Sequence, residues 1–199
     1  MKLYTNLFSP NARKVHAVAH ELGIDLETQT LDLRAGEQRS SEYLSLNPNG
    51  KVPTLVDGEV VLWESNAILC YLADKQQSDL WPESPKRHDV LRWMFWDSNH
   101  LSHALNRLFG EKFFRRDNPN QKVIEGANKS FRKYATIVDG QLATNQYVAG
   151  DALTVADFAI GVGFGYIESL ELPIDGLDHL ARWWSALSAT PSGRLLLPG

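Results

Sequence analysis

The chain has 199 residues, is 43% hydrophobic and carries a formal net charge of -4. This allows a sizeable core in one or two domains and argues against a nucleic-acid partner. One cysteine, Cys70, excludes an internal disulfide framework and a metal site built on several thiolates, and no apolar run reaches membrane-spanning length.

Met1 to Thr5 reads as a short strand. Ser9-Pro10-Asn11 follows, then a helical stretch through Ala12, Val15, Val18, Ala19 and Leu22, closed by Gly23. Ser9 suits the N-cap and Pro10 the first helical position. Leu26 to Leu33 predicts a second strand, Arg34 to Ser41 a polar loop, and Glu42 to Leu46 a short helix. Gly50-Lys51-Val52-Pro53 begins a third strand, Asp57-Gly58 is a tight turn, and Glu59 to Leu62 returns. Glu64-Ser65-Asn66 then opens an apolar helix, with Ser65 expected as its cap. A strand edge and a helix N-terminus are thereby placed together. That pairing offers backbone hydrogen bonds to a peptide and N–H groups to its carboxylate.

Gln76 to Arg87, with Pro82 and Pro85, reads as a linker between a domain at 1–77 and one at 86–199. Everything beyond it reads as helix. Asp89 to Phe114 is expected to be one long helix with apolar residues at mixed spacings. Asp117-Asn118-Pro119-Asn120 interrupts it, and Val123 to Leu142 is the next. Thr154-Val155-Ala156-Asp157 is a short capping box, and His179 to Ser188 precedes Pro191. With Lys2-Leu3-Tyr4 beginning a strand where a leader would stand, a soluble cytoplasmic protein without a membrane partner is expected.

Four segments together resemble the soluble glutathione transferases, along essentially the whole chain. They are Ser9-Pro10-Asn11-Ala12-Arg13-Lys14-Val15, Asn47-Pro48-Asn49-Gly50-Lys51-Val52-Pro53, Glu64-Ser65-Asn66-Ala67-Ile68 and Gly150-Asp151-Ala152-Leu153-Thr154-Val155-Ala156-Asp157-Phe158. The resemblance is closest to the serine-type bacterial, theta and phi groups. It implies an α/β thioredoxin-like N-terminal domain, an all-helical C-terminal domain, and usually a homodimer. It implies glutathione as co-substrate, with no other cofactor, and a small hydrophobic electrophile as its partner. The same thiolate would also serve a peroxidase or disulfide reductase.

The resemblance assigns Ser9 to the glutathione sulfur. Helix capping competes for the same hydroxyl, and Asn11, two residues on, offers an alternative amide donor. Val52-Pro53 would be a cis peptide presenting the Val52 N–H and C=O to the cysteinyl backbone. Lys51 would face the glycine carboxylate, and Glu64 and Ser65 the γ-glutamyl ammonium and carboxylate. Gln38 stands where theta- and phi-like relatives often carry histidine, so it can hydrogen-bond the glycine carboxylate without adding charge. Phe8 and the inward face of the Asp89–Phe114 helix, with Asn99 and His103, are candidates for the electrophile site. No metal is expected: His16 and His20 have ligand spacing but no third partner. Cys70 reads as a structural thiol and Tyr4 as packing. A non-catalytic interaction module of the same fold is the competing reading. An isomerase or dehalogenase fits less well, because Ser-Pro-Asn stands where zeta-type isomerases show Ser-Ser-Cys.

Overall fold

A computed structural model describes residues 1–198. Gly199, the last residue of the expected helical domain, lies outside the described residues. The first half runs β1 (Lys2–Thr5), α1 (Pro10–Glu21), β2 (Glu27–Thr30), α2 (Ser41–Leu46), β3 (Thr54–Asp57), β4 (Val60–Trp63) and α3 (Ser65–Lys75). The sheet order is β2-β1-β3-β4, with β1 and β2 parallel and the other pairs antiparallel. This is the thioredoxin-like arrangement. Leu3 and Leu55 face each other across β1 and β3 and are fully buried with Val15, Val18, Ile68 and Leu69 of α1 and α3. Successive strand residues alternate faces. Tyr4 therefore packs on the opposite side, its ring centroid 5.6 Å from that of Tyr43 in α2.

Several details differ from expectation, and the second strand is confined to Glu27–Thr30. The third strand begins at Thr54, not Gly50, because Gly50 to Pro53 form a connecting loop. The polar loop also holds a 3-10 turn at Glu37–Arg39.

The second half is helical: α4 (Lys86–Trp96), α5 (Ser102–Phe109), α6 (Gln121–Leu142), α7 (Val155–Phe164), α8 (Ile167–Leu170), α9 (Asp178–Ala189) and α10 (Pro191–Arg194). The expected helix at Asp89–Phe114 starts earlier, at Lys86. It is also widened by π turns at Asp97–Leu101 and Gly110–Phe114. Each π turn shifts the helical phase, which accounts for the mixed apolar spacings. α7 is the core helix, buried at every residue from Val155 to Phe164. At its start the Asp157 carboxylate is fully buried. It accepts from Thr154 N–H (2.9 Å), Thr154 Oγ1 (3.1 Å), Val148 N–H (3.0 Å) and Trp183 Nε1 (3.0 Å).

The two halves join along α1, α3 and α7. His20 Nδ1 pairs with Ser192 Oγ at 2.9 Å, Val155 N–H donates to Leu80 C=O at 3.0 Å, and Arg13 donates to the Tyr166 hydroxyl. Trp93 is buried and packs edge-on to Trp96, so this pair belongs to the helical core. No helix among the described residues is long and apolar enough to cross a membrane.

Candidate active site

The N-termini of α1 and α3 lie side by side. Ser65 Oγ donates to Asn11 Oδ1 at 3.2 Å, across 54 residues of sequence. Around this contact the structure brings together Ser9, Asn11, Glu64 and Ser65.

Ser9 occupies the N-cap position of α1 with extended backbone angles, φ -83° and ψ 119°. Its carbonyl accepts from Ala12 and Arg13 N–H, and its own N–H donates to Asn6 C=O at 2.9 Å. Its hydroxyl makes no capping bond. Backbone geometry holds the residue, which leaves the half-buried hydroxyl unengaged at the positive end of a twelve-residue helix. Asn11 is exposed. With its Oδ1 taken by Ser65, its Nδ2 is the group still able to donate.

Ser65 is not the cap of its helix, as the sequence suggests. It is the first helical residue, and Glu64 takes the N-cap position at φ 70° and ψ 106°, without a side-chain capping bond. A non-glycine residue with positive φ costs about 1–3 kcal/mol and persists where the surroundings impose it. Here the strained residue directly precedes Ser65, whose hydroxyl reaches Asn11, and the Glu64 side chain is exposed.

The Lys51-Val52-Pro53 loop is held from behind. The Tyr43 hydroxyl donates to Lys51 C=O at 2.6 Å, and Asn47 Nδ2 donates to the same carbonyl at 2.8 Å. Both side chains also reach Thr54 Oγ1, at 2.8 and 3.0 Å. Val52-Pro53 is cis. The Val52 N–H and C=O make no hydrogen bond among the described residues, so they present an open edge. The Lys51 side chain is exposed. Gln38 sits beside this loop: a Cβ at Gly50, where φ is 58°, would come within 3.0 Å of the Gln38 carbonyl. Its Nε2 donates to Leu33 C=O at 3.2 Å, while its Oε1 is buried without a partner.

The residues named for an electrophile lie exposed at the surface. Phe8 is 84% exposed at the mouth of α1. Asn99 and His103 are exposed, and Asn99 Nδ2 returns to Phe95 C=O at 2.8 Å. In the Asp89–Phe114 stretch, whose inward face is a candidate, Phe109 and Phe113 join an aromatic cluster with Tyr166, the member that sequence reasoning missed. Arg13, one turn beyond Ser9, lies over the Tyr166 ring, and Phe109 meets that ring edge-on at 4.5 Å and stacks on Phe113 at 5.5 Å. Burial pushes the Tyr166 phenol up, while the Arg13 cation opposes that shift. Phe109 and Phe113 show four-residue helical spacing, but nothing in the sequence links them to Tyr166.

Other candidates serve the fold. Cys70 is partly buried, its Sγ 3.8 Å from Met94 Sδ, and burial pushes its thiol up to about 12. His16 Nε2 pairs with Thr5 Oγ1 at 2.9 Å, and burial lowers its pKa. No group of three His, Cys, Asp or Glu able to hold a metal occurs among the described residues. A groove of about 510 Å³ runs along α1 past Leu7, Arg13, His20 and Arg194. Ser9, Val52 and Ser65 do not line it.

Residues 1–74 match the model of the glutathione S-transferase N-terminal domain, and residues 96–191 that of the C-terminal domain. The chain is 33% identical to glutathione S-transferase 3 of Zea mays, over 96% of this chain and 90% of that protein. It is 31% identical to the probable glutathione S-transferase GSTF2 of Oryza sativa, over 98% and 94%. Among solved structures it is similar to a theta class glutathione S-transferase of Xanthomonas axonopodis with glutathione bound. That match has 30% identity, a TM-score of 0.89, and coverage of 97% of this chain and 94% of that one. It is also similar to glutathione S-transferase I from mais in complex with an atrazine glutathione conjugate, at 28% identity and a TM-score of 0.90, covering 98% and 95%. Matched by both family models in order, and aligned with such relatives over nearly its whole length, the chain belongs to the glutathione S-transferase family.

Proposed function

We propose that this protein conjugates the thiol of glutathione to small hydrophobic electrophiles. The observation that carries the proposal is the Ser65–Asn11 hydrogen bond. It sets two helix N-termini side by side, one for a carboxylate and one for a thiolate.

In this reading the cysteinyl backbone pairs with the open Val52 N–H and C=O. The γ-glutamyl carboxylate sits on the first N–H groups of α3 at Ser65, and Glu64 meets the ammonium. Lys51 faces the glycine carboxylate. The Gln38 donor is turned toward Leu33, so Gln38 contributes by shaping the loop beside Gly50. The sulfur lies at the N-terminus of α1. A free thiol of pKa about 8.5 is only ~3% ionised at neutral pH. The free Ser9 hydroxyl donates to the sulfur, and the helix dipole favours its negative charge. Lowering the pKa by ~2 units would make about three quarters of it thiolate, a gain of at most ~25-fold. Positioning supplies the rest. The thiol proton leaves to solvent. The sulfur lone pair forms the new C–S bond while the leaving group departs with its electron pair, or while an activated double bond takes up the electrons and a proton. Phe8 and Phe113, both exposed, give the electrophile an apolar surface, with Phe109 and the buried Tyr166 packed behind Phe113. The Cys70 thiol stays protonated, so the reacting sulfur comes from glutathione.

In the same proposal the protein works in the cytoplasm as a homodimer. Val60, Val61 and Trp63 on the outer strand β4, together with Phe95, are exposed large apolar side chains that support pairing with a second copy.

Calorimetric titration with glutathione, with thiolate ultraviolet absorbance followed in parallel, tests the reading. Saturable binding with thiolate formation at neutral pH is expected. No binding at millimolar glutathione would overturn it in favour of a non-catalytic interaction module.

A further inference from the structure

We infer that Lys14 is a positioning residue for the γ-glutamyl carboxylate of glutathione, acting as a buried counter-charge behind the N-terminus of α3. The inference rests on the glutathione reading above.

Lys14 lies in α1, between Arg13 and Val15, and is only 3% exposed. Its Nζ donates to Asn66 Oδ1 at 2.7 Å and forms no ion pair among the described residues. An ammonium taken from water with a single neutral acceptor is costly, and an apolar side chain would serve packing better. Its surroundings indicate what it is for. Asn66 directly follows Ser65, so the ammonium stands one residue from the backbone offered to the carboxylate. The Asn66 amide also donates to Ser98 Oγ at 3.1 Å and to Met94 C=O at 3.4 Å. One side chain thus links α1, the start of α3 and the π turn of the helical domain.

The charges nearby explain why a cation is needed. Burial pushes the Lys14 pKa down, and the fields of Asp97, then Glu64, pull it up. Asp97 is buried, with its carboxylate bonded to Ser102 Oγ at 3.0 Å. Glu64 is needed for the ligand's ammonium. Without Lys14, two carboxylates would face an arriving third, and the partial positive charge of the helix end would have to overcome both. With Lys14 present, the pocket accepts a zwitterion: Glu64 for its cation, and the helix end backed by Lys14 for its anion.

Lys14→Met and Lys14→Gln both remove the charge. Gln is close in length and keeps a donor for Asn66, so it remains informative if the Met variant does not fold. Both are expected to weaken glutathione binding by roughly tenfold or more. At saturating glutathione, kcat should stay within about threefold, because the sulfur end is untouched. Lys14→Arg should restore part of the affinity. The decisive probe is γ-aminobutyryl-cysteinyl-glycine, which is glutathione without the α-carboxylate. Wild type and Lys14→Gln should bind it equally. Wild-type protein that fails to bind glutathione would sink the functional reading itself. Wild type that binds, with Lys14→Gln binding equally well, would overturn only the role of Lys14. So would an equal loss of affinity for both peptides.

Discussion

Replacing Ser9 with alanine separates folding from chemistry at one atom. A serine that caps a helix through its side chain contributes about 1 kcal/mol, so its loss would lower Tm by about 2–4 °C in a chain of this size. Here the hydroxyl makes no capping bond, and the backbone contacts at Ser9 survive the substitution. The melt of Ser9→Ala is therefore expected to coincide with that of wild type. Catalysis should not survive in the same way. A hydrogen bond to a charged group is worth about 1.5–3 kcal/mol, which corresponds to a rise of ~1–2 units in the thiol pKa and, at neutral pH, a ~3- to 25-fold loss of thiolate and of turnover. If Asn11 Nδ2 shares the sulfur, the loss falls at the lower end. The assays are a thermal melt, an ultraviolet titration of bound thiolate, and turnover of a chloronitrobenzene electrophile. A Tm drop of several degrees would show that the hydroxyl serves the helix. An unchanged thiolate pKa would remove Ser9 from the chemistry and leave Asn11 as the donor.

Three further outcomes are expected. Glu64→Gly relieves the positive φ at 70°, so Tm should rise by about 2–4 °C while KM for glutathione rises tenfold or so; a lower Tm would refute the strain argument. Tyr43→Phe removes the hydroxyl that holds Lys51 C=O and Thr54 Oγ1. It should cost about 1–2 kcal/mol in chemical denaturation and raise KM several-fold with kcat kept, and an unchanged KM would disconnect this support from the loop. Burial pushes Asp97 up to about 6 in the folded protein, so the unfolded chain releases this proton first as pH rises. The wild type therefore loses stability from Asp97 between its ordinary carboxylate range and about pH 6. Asp97→Asn lacks that loss and should gain on wild type through this window, measured as the Tm difference at several pH values; a difference that is flat or shrinks would be contrary.

The order of strands and helices was legible because apolar period and turn residues agree in each segment. The Asp157 contact to Thr154 N–H was legible for the same reason, since it spans only three residues. The position of Ser65 was not. Serine is favoured at N-caps, and nothing in a sequence announces that glutamate will take a positive φ beside it. The π turns were visible only as mixed spacing in the Asp89–Phe114 stretch, a signal that does not say where the extra residues sit. Long-range pairs were silent. Arg13 and Tyr166 are 153 residues apart, and Lys14, quoted within a motif, carries no sign in the sequence that the fold will bury it.

The buried carboxylate at the start of α7 has a consequence for biosynthesis. Its donors come from Val148, Thr154 and Trp183, and the last of these lies near the end of the chain. A nascent chain leaves the ribosome N-terminus first, and domains fold as units during synthesis. The four-stranded sheet can close as soon as residue 75 has emerged. The helical half remains one donor short at its centre until the indole of Trp183 arrives. Translation that stalls before that point would leave a folded first domain joined to an unlocked second one, with the apolar faces of both open to chaperones.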